Sequence, residues 1–91
     1  MEIKSVMQSE KRCFVCGKAY DLERHHALSG WANRRLADKY GLTVWLCHDC
    51  HRSLHDKGKY DRELKEYAQT VFERVHGNRD DFRRIFGRSY L

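Results

Sequence analysis

Residues 44–55 carry the sequence VWLCHDCHRSLH, in which three patterns follow one another without a break. Residues 42–46 are aliphatic, β-branched or aromatic, and they predict a strand. A Cys-x2-Cys pair comes next, and a His-x3-His pair follows it on a predicted helix that runs to about Asp56, with Gly58 as its stop. A strand, a cysteine pair and a helix that carries two histidines form the central unit of the predicted fold.

A second Cys-x2-Cys pair, Cys13 and Cys16, lies upstream of Cys47 and Cys50. Gly17 follows it directly and suits a tight knuckle, since glycine tolerates positive φ. Four thiolates at this spacing predict a tetrahedral structural zinc site in a reducing, cytoplasmic compartment. The alternative is two disulfides in a small secreted domain, which would seldom use two such short pairs. Zinc in such a site contributes about 10 kcal/mol or more to folding.

Four histidines stand where a second metal site can form. His25 and His26 end a predicted strand over residues 22–26, while His51 and His55 are four apart and share one helix face. Adjacent strand residues point to opposite sides, so only one of His25 and His26 can face the helix pair. Three imidazoles can then converge on a metal, and the fourth is free to titrate near neutral pH. The alternative is a surface pair of histidines beside a cysteine knuckle.

The remaining segments predict three further helices. Residues 31–40 form a short basic helix that Gly41 ends in a left-handed cap. Residues 60–75 have apolar side chains at three- and four-residue steps, which predicts an amphipathic helix. Asn78 or Asp80 then caps a short last helix. The sequence therefore predicts a small α+β fold.

Size and composition exclude several classes of protein. A chain of 91 residues has room for one core. Its apolar runs are a few residues long, far short of the roughly 20 that a bilayer requires, so we expect no membrane partner. The N-terminal residues lack the apolar stretch of a secretory signal peptide. The hydrophobic content of 41%, with two tryptophans, argues against disorder.

The charge of the chain indicates a polyanionic partner. Lysine and arginine number 18 against 13 aspartates and glutamates, a formal net charge of +5. The basic residues cluster beside the predicted site and in the C-terminal tail, as expected for a surface that contacts phosphates. Phosphate contacts give affinity without base readout. The candidate nucleic-acid-binding residues are Arg34, Arg35, Lys39, Arg52, Lys57, Arg83, Arg84 and Arg88.

These motifs, taken in order, resemble those of the HNH endonucleases of the ββα-metal fold. The shared order is Cys-x2-Cys, a strand that ends in His-His, a second strand, and Cys-x2-Cys-His-x3-His at the head of a helix. The chain is particularly similar to small phage-type members with a four-cysteine zinc site. The resemblance implies that His25, His51 and His55 bind a catalytic metal and that His26 is the general base.

The resemblance also implies an architecture. A zinc-stabilised, treble-clef-like ββα-metal core is expected over residues 12–57, and additional C-terminal helices over residues 60–87. Together they would form a single domain over residues 12–91. Residues 1–11 show no clear period and are expected to form a loose N-terminal lead-in.

The implied activity is metal-dependent hydrolysis of DNA phosphodiester bonds by an endonuclease or nickase. One metal and one imidazole supply the cation and the base that this reaction needs. Three nitrogen ligands favour Zn, Ni, Co or Mn over Mg, although Asp56 could add an oxygen. The expected partner is DNA, with RNA as an open alternative. A homodimer or a phage or host protein partner is also possible.

One position departs from the HNH pattern. Those relatives carry an asparagine nine residues before the first helix histidine, where this chain has Leu42. That asparagine orients the loop that bears the base; Asn33 is the asparagine of this chain that could take its place. The departure motivates an alternative function, a non-catalytic zinc module on the same fold that binds DNA or protein.

Overall fold

Two strands and four helices follow one another in the part of the chain that the structure describes. A computed structural model describes residues 5–28 and 30–91; residues 1–4 and Ser29 lie outside the described part. The elements are β1 (Leu22–His26), α1 (Trp31–Tyr40), β2 (Thr43–Cys47), α2 (His48–Lys57), α3 (Asp61–Val75) and α4 (Arg79–Phe86).

The two strands form an antiparallel hairpin whose connection contains α1. Leu22 pairs with Cys47 at one end of the hairpin, and His26 pairs with Thr43 at the other. Gly41 ends α1 at φ 73°, a left-handed conformation that glycine adopts without the cost of a Cβ clash. The chain therefore turns directly from α1 into β2.

The α2 helix starts at the residue after β2 and packs against both strands. Cys47, the last residue of β2, is also the N-cap of α2, and its sulfur accepts a hydrogen bond from the Cys50 amide. A side chain that accepts from the backbone at this position satisfies one of the amides that the first helical turn leaves unpaired. A hairpin followed at once by a helix is the ββα arrangement that the sequence predicted.

The fold class is confirmed: a small α+β structure with a two-stranded hairpin packed on a helix, a four-cysteine cluster and C-terminal helices. The bounds of β1 and α1 agree with the sequence prediction, and β2 is displaced by one residue. Of the two caps proposed for the last helix, Asn78 is the observed one, in a capping box with Asp81.

Helices α3 and α4 pack against each other and against α1 around an aromatic core. Phe72 and Phe82 are almost completely buried, with ring centroids 5.3 Å apart, and Phe86 packs 4.6 Å from Phe82. Leu42 is completely buried in the same core. The position that corresponds to the asparagine of the HNH pattern is thus an apolar packing position here.

Residues 5–14, which include part of the predicted lead-in, run along the free edge of β2. The Ser5 hydroxyl donates to the Thr43 carbonyl, and the Gln8 side chain accepts from the Trp45 amide at 2.9 Å. The Phe14 amide donates to the Trp45 carbonyl at 2.8 Å. These bonds satisfy groups that an edge strand otherwise leaves unpaired.

Gln69 is a completely buried polar residue that attaches the C-terminal tail to α3. Its amide nitrogen donates to Glu73 and Ser89 at 2.9 Å, and its oxygen accepts from the Tyr90 amide at 2.6 Å. A buried group that loses its partner costs more than an exposed one, because water cannot replace the bond.

Replacement of Gln69 by alanine is therefore expected to lower the free energy of unfolding by about 1–3 kcal/mol. Thermal unfolding followed by circular dichroism measures the change. Thr70→Ala, at the exposed neighbouring position of α3, is the matched control and should unfold close to the wild-type temperature. Equal melting temperatures for both variants would contradict the role of the buried amide.

Candidate metal centre

The sulfur atoms of the four cysteines converge at the junction of the N-terminal knuckle, β2 and α2. All four lie within 4.8 Å of one another. The Sγ atoms of Cys16 and Cys47 are 3.7 Å apart, too far for a disulfide but close to the edge of about 3.8 Å in a tetrahedron with zinc–sulfur bonds of about 2.3 Å. The four cysteines are free thiols. Their arrangement suits a structural zinc ion.

Both Cys-x2-Cys pairs have the same local geometry. The Cys16 amide points at the Cys13 sulfur, and the Cys50 amide points at the Cys47 sulfur, each at 3.5 Å. Amide hydrogen bonds of this kind stabilise a thiolate. Gly17, directly after the first knuckle, has φ 81°, so glycine is needed to turn the chain back.

The pKa values of the thiols diverge within the cluster. Burial works against ionisation of Cys13, but hydrogen bonds from the backbone of Cys16, Cys47 and Val15 outweigh it and lower the pKa of Cys13 to about 6. Burial, and then the neighbouring thiols, raise the pKa of Cys50 well above its ordinary value. Four thiolates at this distance repel one another, so a bound cation is what allows all of them to ionise.

Three histidines, one from β1 and two from α2, form a second cluster. The ligand atoms of His25, His51 and His55 lie within 4.8 Å of one another. The Nε2 atoms of His51 and His55 are 3.0 Å apart, near the edge of about 3.3 Å for two nitrogens on one tetrahedral zinc ion. The predicted one-turn spacing thus brings both rings together, and the His25 ring of β1 lies 5.2 Å from the His51 ring and 5.9 Å from the His55 ring.

The His25 ring is buried and neutral. Its Nε2 is the one buried side-chain nitrogen or oxygen of residues 5–28 and 30–91 that has no hydrogen-bond partner. Burial, followed by the charges of His51 and His55, lowers the pKa of His25 to about 4. A buried imidazole nitrogen with a free lone pair is costly unless something binds it, and a metal ion would.

Glu23 orients the helix side of this triad. Its carboxylate accepts from Nδ1 of His51 at 2.7 Å and from Nδ1 of His48 at 3.2 Å. These hydrogen bonds, from His51 first and then His48, hold the pKa of Glu23 below its ordinary value. A hydrogen bond from Nδ1 fixes the tautomer and leaves Nε2 of His51 as the ligand atom. The triad could therefore hold a second metal ion.

Titration with Co²⁺ is expected to show two separate phases. The first should carry the sulfur-to-metal absorption of the cysteine cluster, and the second should lack it, because its ligands are nitrogens. His51→Ala should remove the second phase and leave the first unchanged. His48→Ala, at an exposed neighbouring histidine, should retain both phases. A single phase in the wild-type chain would contradict the second site.

The histidine triad opens into a cleft of about 340 Å³. His26 lies in its wall, one residue after His25, and its Nε2 is 2.9 Å from the Asp38 carboxylate of α1. Arg24 and Arg34 bring two positive charges into the same wall. The cleft thus combines three possible metal ligands, a separate imidazole and two guanidinium groups. Its remaining lining residues are Leu28 and Gly30.

Among the predicted nucleic-acid-binding residues, Arg34 lines the cleft and the others lie elsewhere on α1, α2 and the C-terminal segment. Arg52 and Arg84 form surface ion pairs with Asp56 and Asp81. Lys39 and Arg88 lie against the rings of Tyr40 and Tyr90. Arg35, Lys57 and Arg83 are exposed.

Three residues in or beside the cleft were not predicted: Glu23 and Asp38 contact its histidines, while Arg24 lines it. The period of a strand could have found the first, because Glu23 lies two residues before His25 and shares its face. The same rule places Arg24 on the face of His26. No sequence signal marks Asp38, which lies on a separate helix.

Comparisons of the chain with protein-family models, curated proteins and solved structures give no match. Among the described residues, the longest helix, α3, has 15 residues, and no helix has the length and apolar character required to cross a membrane.

Proposed function

We propose that the chain is a metal-dependent endonuclease or nickase of the HNH type, which hydrolyses DNA phosphodiester bonds with His26 as general base. One observation carries this proposal. Three imidazoles that can bind a metal and a fourth, independently held imidazole line a single cleft together with two arginines. If these histidines and arginines had only a structural role, they would not need to line an open cleft.

His25, His51 and His55 would hold the divalent ion. An all-nitrogen ligand set suits Zn, Ni, Co or Mn better than Mg, which prefers oxygen ligands. Bound there, the ion supplies positive charge that stabilises the negative charge developing on the phosphate oxygens. The cysteine cluster, by contrast, offers a closed set of four ligands and would act as architecture. Reduced cysteines in this role fit a reducing compartment such as the cytoplasm.

His26 would supply the proton transfer. Its imidazole removes a proton from water as the water oxygen forms a bond to phosphorus. The bond from phosphorus to the leaving ester oxygen breaks in the same displacement, and that oxygen takes a proton from solvent. General-base assistance of this kind contributes about 10²–10⁴ in rate.

Arg24 and Arg34 would bind the phosphate that is cleaved, since a guanidinium group matches the geometry of phosphate oxygens. The basic residues outside the cleft would contact phosphates on either side. Such contacts give affinity that falls with rising salt and little sequence preference. DNA is the proposed substrate, and a phage origin agrees with the motif resemblance.

A second candidate function is a non-catalytic zinc module that binds DNA or protein. The burial of Leu42 favours it, because an apolar packing residue cannot perform the polar role of the asparagine found in HNH relatives. On this alternative the histidine cleft would have no role in cleavage.

Conversion of supercoiled plasmid to nicked or linear DNA tests the proposal. The chain is incubated with Mn²⁺ or Ni²⁺, beside a variant in which His51 is replaced by alanine. We expect only the wild-type chain to convert the plasmid. Both proteins should keep the zinc ion of the cysteine cluster. Absence of conversion with each divalent ion tried would favour the non-catalytic module.

A further inference from the structure

The Asp38 carboxylate of α1 contacts two residues of the cleft wall, Arg24 and His26. Its Oδ1 accepts from Nε2 of His26 and from Nη2 of Arg24, each at 2.9 Å. Arg24 and His26 are two residues apart on β1 and therefore share a face of the strand. One carboxylate oxygen thus connects the proposed base to a neighbouring cation.

The backbone around Leu42 determines where Asp38 lies. The Leu42 amide donates to the Ala37 carbonyl at 2.8 Å, which ties the end of α1 to the start of β2. The Leu42 carbonyl accepts from the Ala27 amide at 3.1 Å, which ties the end of β1 to the same point. Leu42 therefore holds the segment after His26 through its backbone, while its side chain packs in the core.

We propose that Asp38 is the positioning residue of His26 and takes the place of the asparagine that Leu42 replaces. The expected effect on catalysis rests on the proposed function, whereas the hydrogen bond between Asp38 and His26 does not. A hydrogen bond from Nε2 to Asp38 fixes the proton on that nitrogen and leaves Nδ1 to accept a proton. The carboxylate also stabilises the imidazolium that forms, as in other carboxylate–histidine pairs.

The alternative is that Asp38 only forms an ion pair with Arg24. Pairs exposed to this degree contribute little to stability, so loss of Asp38 should leave the chain folded. A purely structural role would also leave the tautomer of His26 unchanged. The tautomer is therefore the readout that separates the two roles.

The experiment compares Asp38→Ala with the wild-type chain by nitrogen-15 NMR of the histidine rings, at a pH high enough to deprotonate imidazoles. In the wild type, His26 should carry its proton on Nε2, and in Asp38→Ala it should become a mixture of both tautomers. A wild-type proton on Nδ1, or an unchanged tautomer in the variant, would overturn the proposal. If the alanine variant fails to fold, Asp38→Leu, which keeps the side-chain shape, is used instead.

Cleavage kinetics supply the second readout. Asp38→Ala should lower kcat by about 10- to 100-fold with KM nearly unchanged, as loss of a group that orients a ligand or base typically does. Asp38→Glu should recover part of the loss. Glu66→Ala removes a comparable carboxylate–arginine contact on α3 and should leave kcat unchanged. An unchanged kcat in Asp38→Ala would show that the contact with Asp38 does not matter for catalysis by His26. If the wild-type chain does not cleave DNA, the tautomer of His26 still tests whether Asp38 positions this ring.

Discussion

Replacement of Cys47 by serine is expected to leave the chain largely unfolded at room temperature. Cys47 is the last residue of β2 and the N-cap of α2, and its sulfur belongs to the four-cysteine cluster. A structural zinc site contributes about 10 kcal/mol or more to folding, whereas a small domain has a total stability of about 5–15 kcal/mol. Loss of one zinc ligand should therefore remove most of the free energy that keeps the chain folded. Circular dichroism and zinc content measure the result.

A strong chelator should produce the same loss of structure in the wild-type chain, and added zinc should reverse it. His48→Ala is the matched control, because His48 lies between Cys47 and Cys50 but is exposed. It should retain both zinc and the fold. Cooperative unfolding of Cys47→Ser near the wild-type temperature, without bound zinc, would show that the cysteine cluster is not the main support of the fold.

Replacement of His26 by alanine is expected to lower the rate of DNA cleavage by about 10²–10⁴-fold, the usual contribution of a general base. The metal content should stay unchanged, since the triad of His25, His51 and His55 remains complete. Single-turnover cleavage of a labelled duplex under saturating metal measures the rate. The combination of lost cleavage and retained metal is what distinguishes a base from a ligand.

His76→Ala serves as the control for this variant, because His76 lies at the end of α3 and donates to the Tyr40 carbonyl outside the cleft. Its cleavage rate should match that of the wild type. If His26→Ala cleaves as fast as the wild type, the base is another group. If it also loses the second metal, His26 is acting as a ligand.

The sequence predicted the parts of the site that depend on local periodicity. Alternation along β1 separates His25 from His26, and the structure places one in the triad and the other against Asp38. The four-residue step from His51 to His55 likewise brings two Nε2 atoms to 3.0 Å. Both follow from the geometry of a strand and of a helix, which do not depend on the rest of the fold.

Features that depend on packing between elements could not be predicted. Asp38 reaches His26 only because the end of α1 is held against β1, and no pattern in the sequence gives that orientation. Gln69 lies beside the apolar stripe of α3, and its burial depends on the tail that folds back onto it. Residues 5–8 show no period because they pair with the edge of β2 through side chains. The expectation from the sequence that Asn33 substitutes for the missing asparagine stays untested, and Asp38 is the residue now proposed for that role.

Plasmid nicking measured against the occupancy of the second metal site tests the central claim most directly. The chain is first loaded with one zinc ion, and Mn²⁺ or Ni²⁺ is then added in steps while bound metal and nicked plasmid are measured on the same samples. We expect no nicking with the first ion alone, then a rise in proportion to the second, with a plateau when both sites are filled. Full activity with one ion, or none with both sites filled, would contradict the claim that metal held by the histidine triad serves hydrolysis.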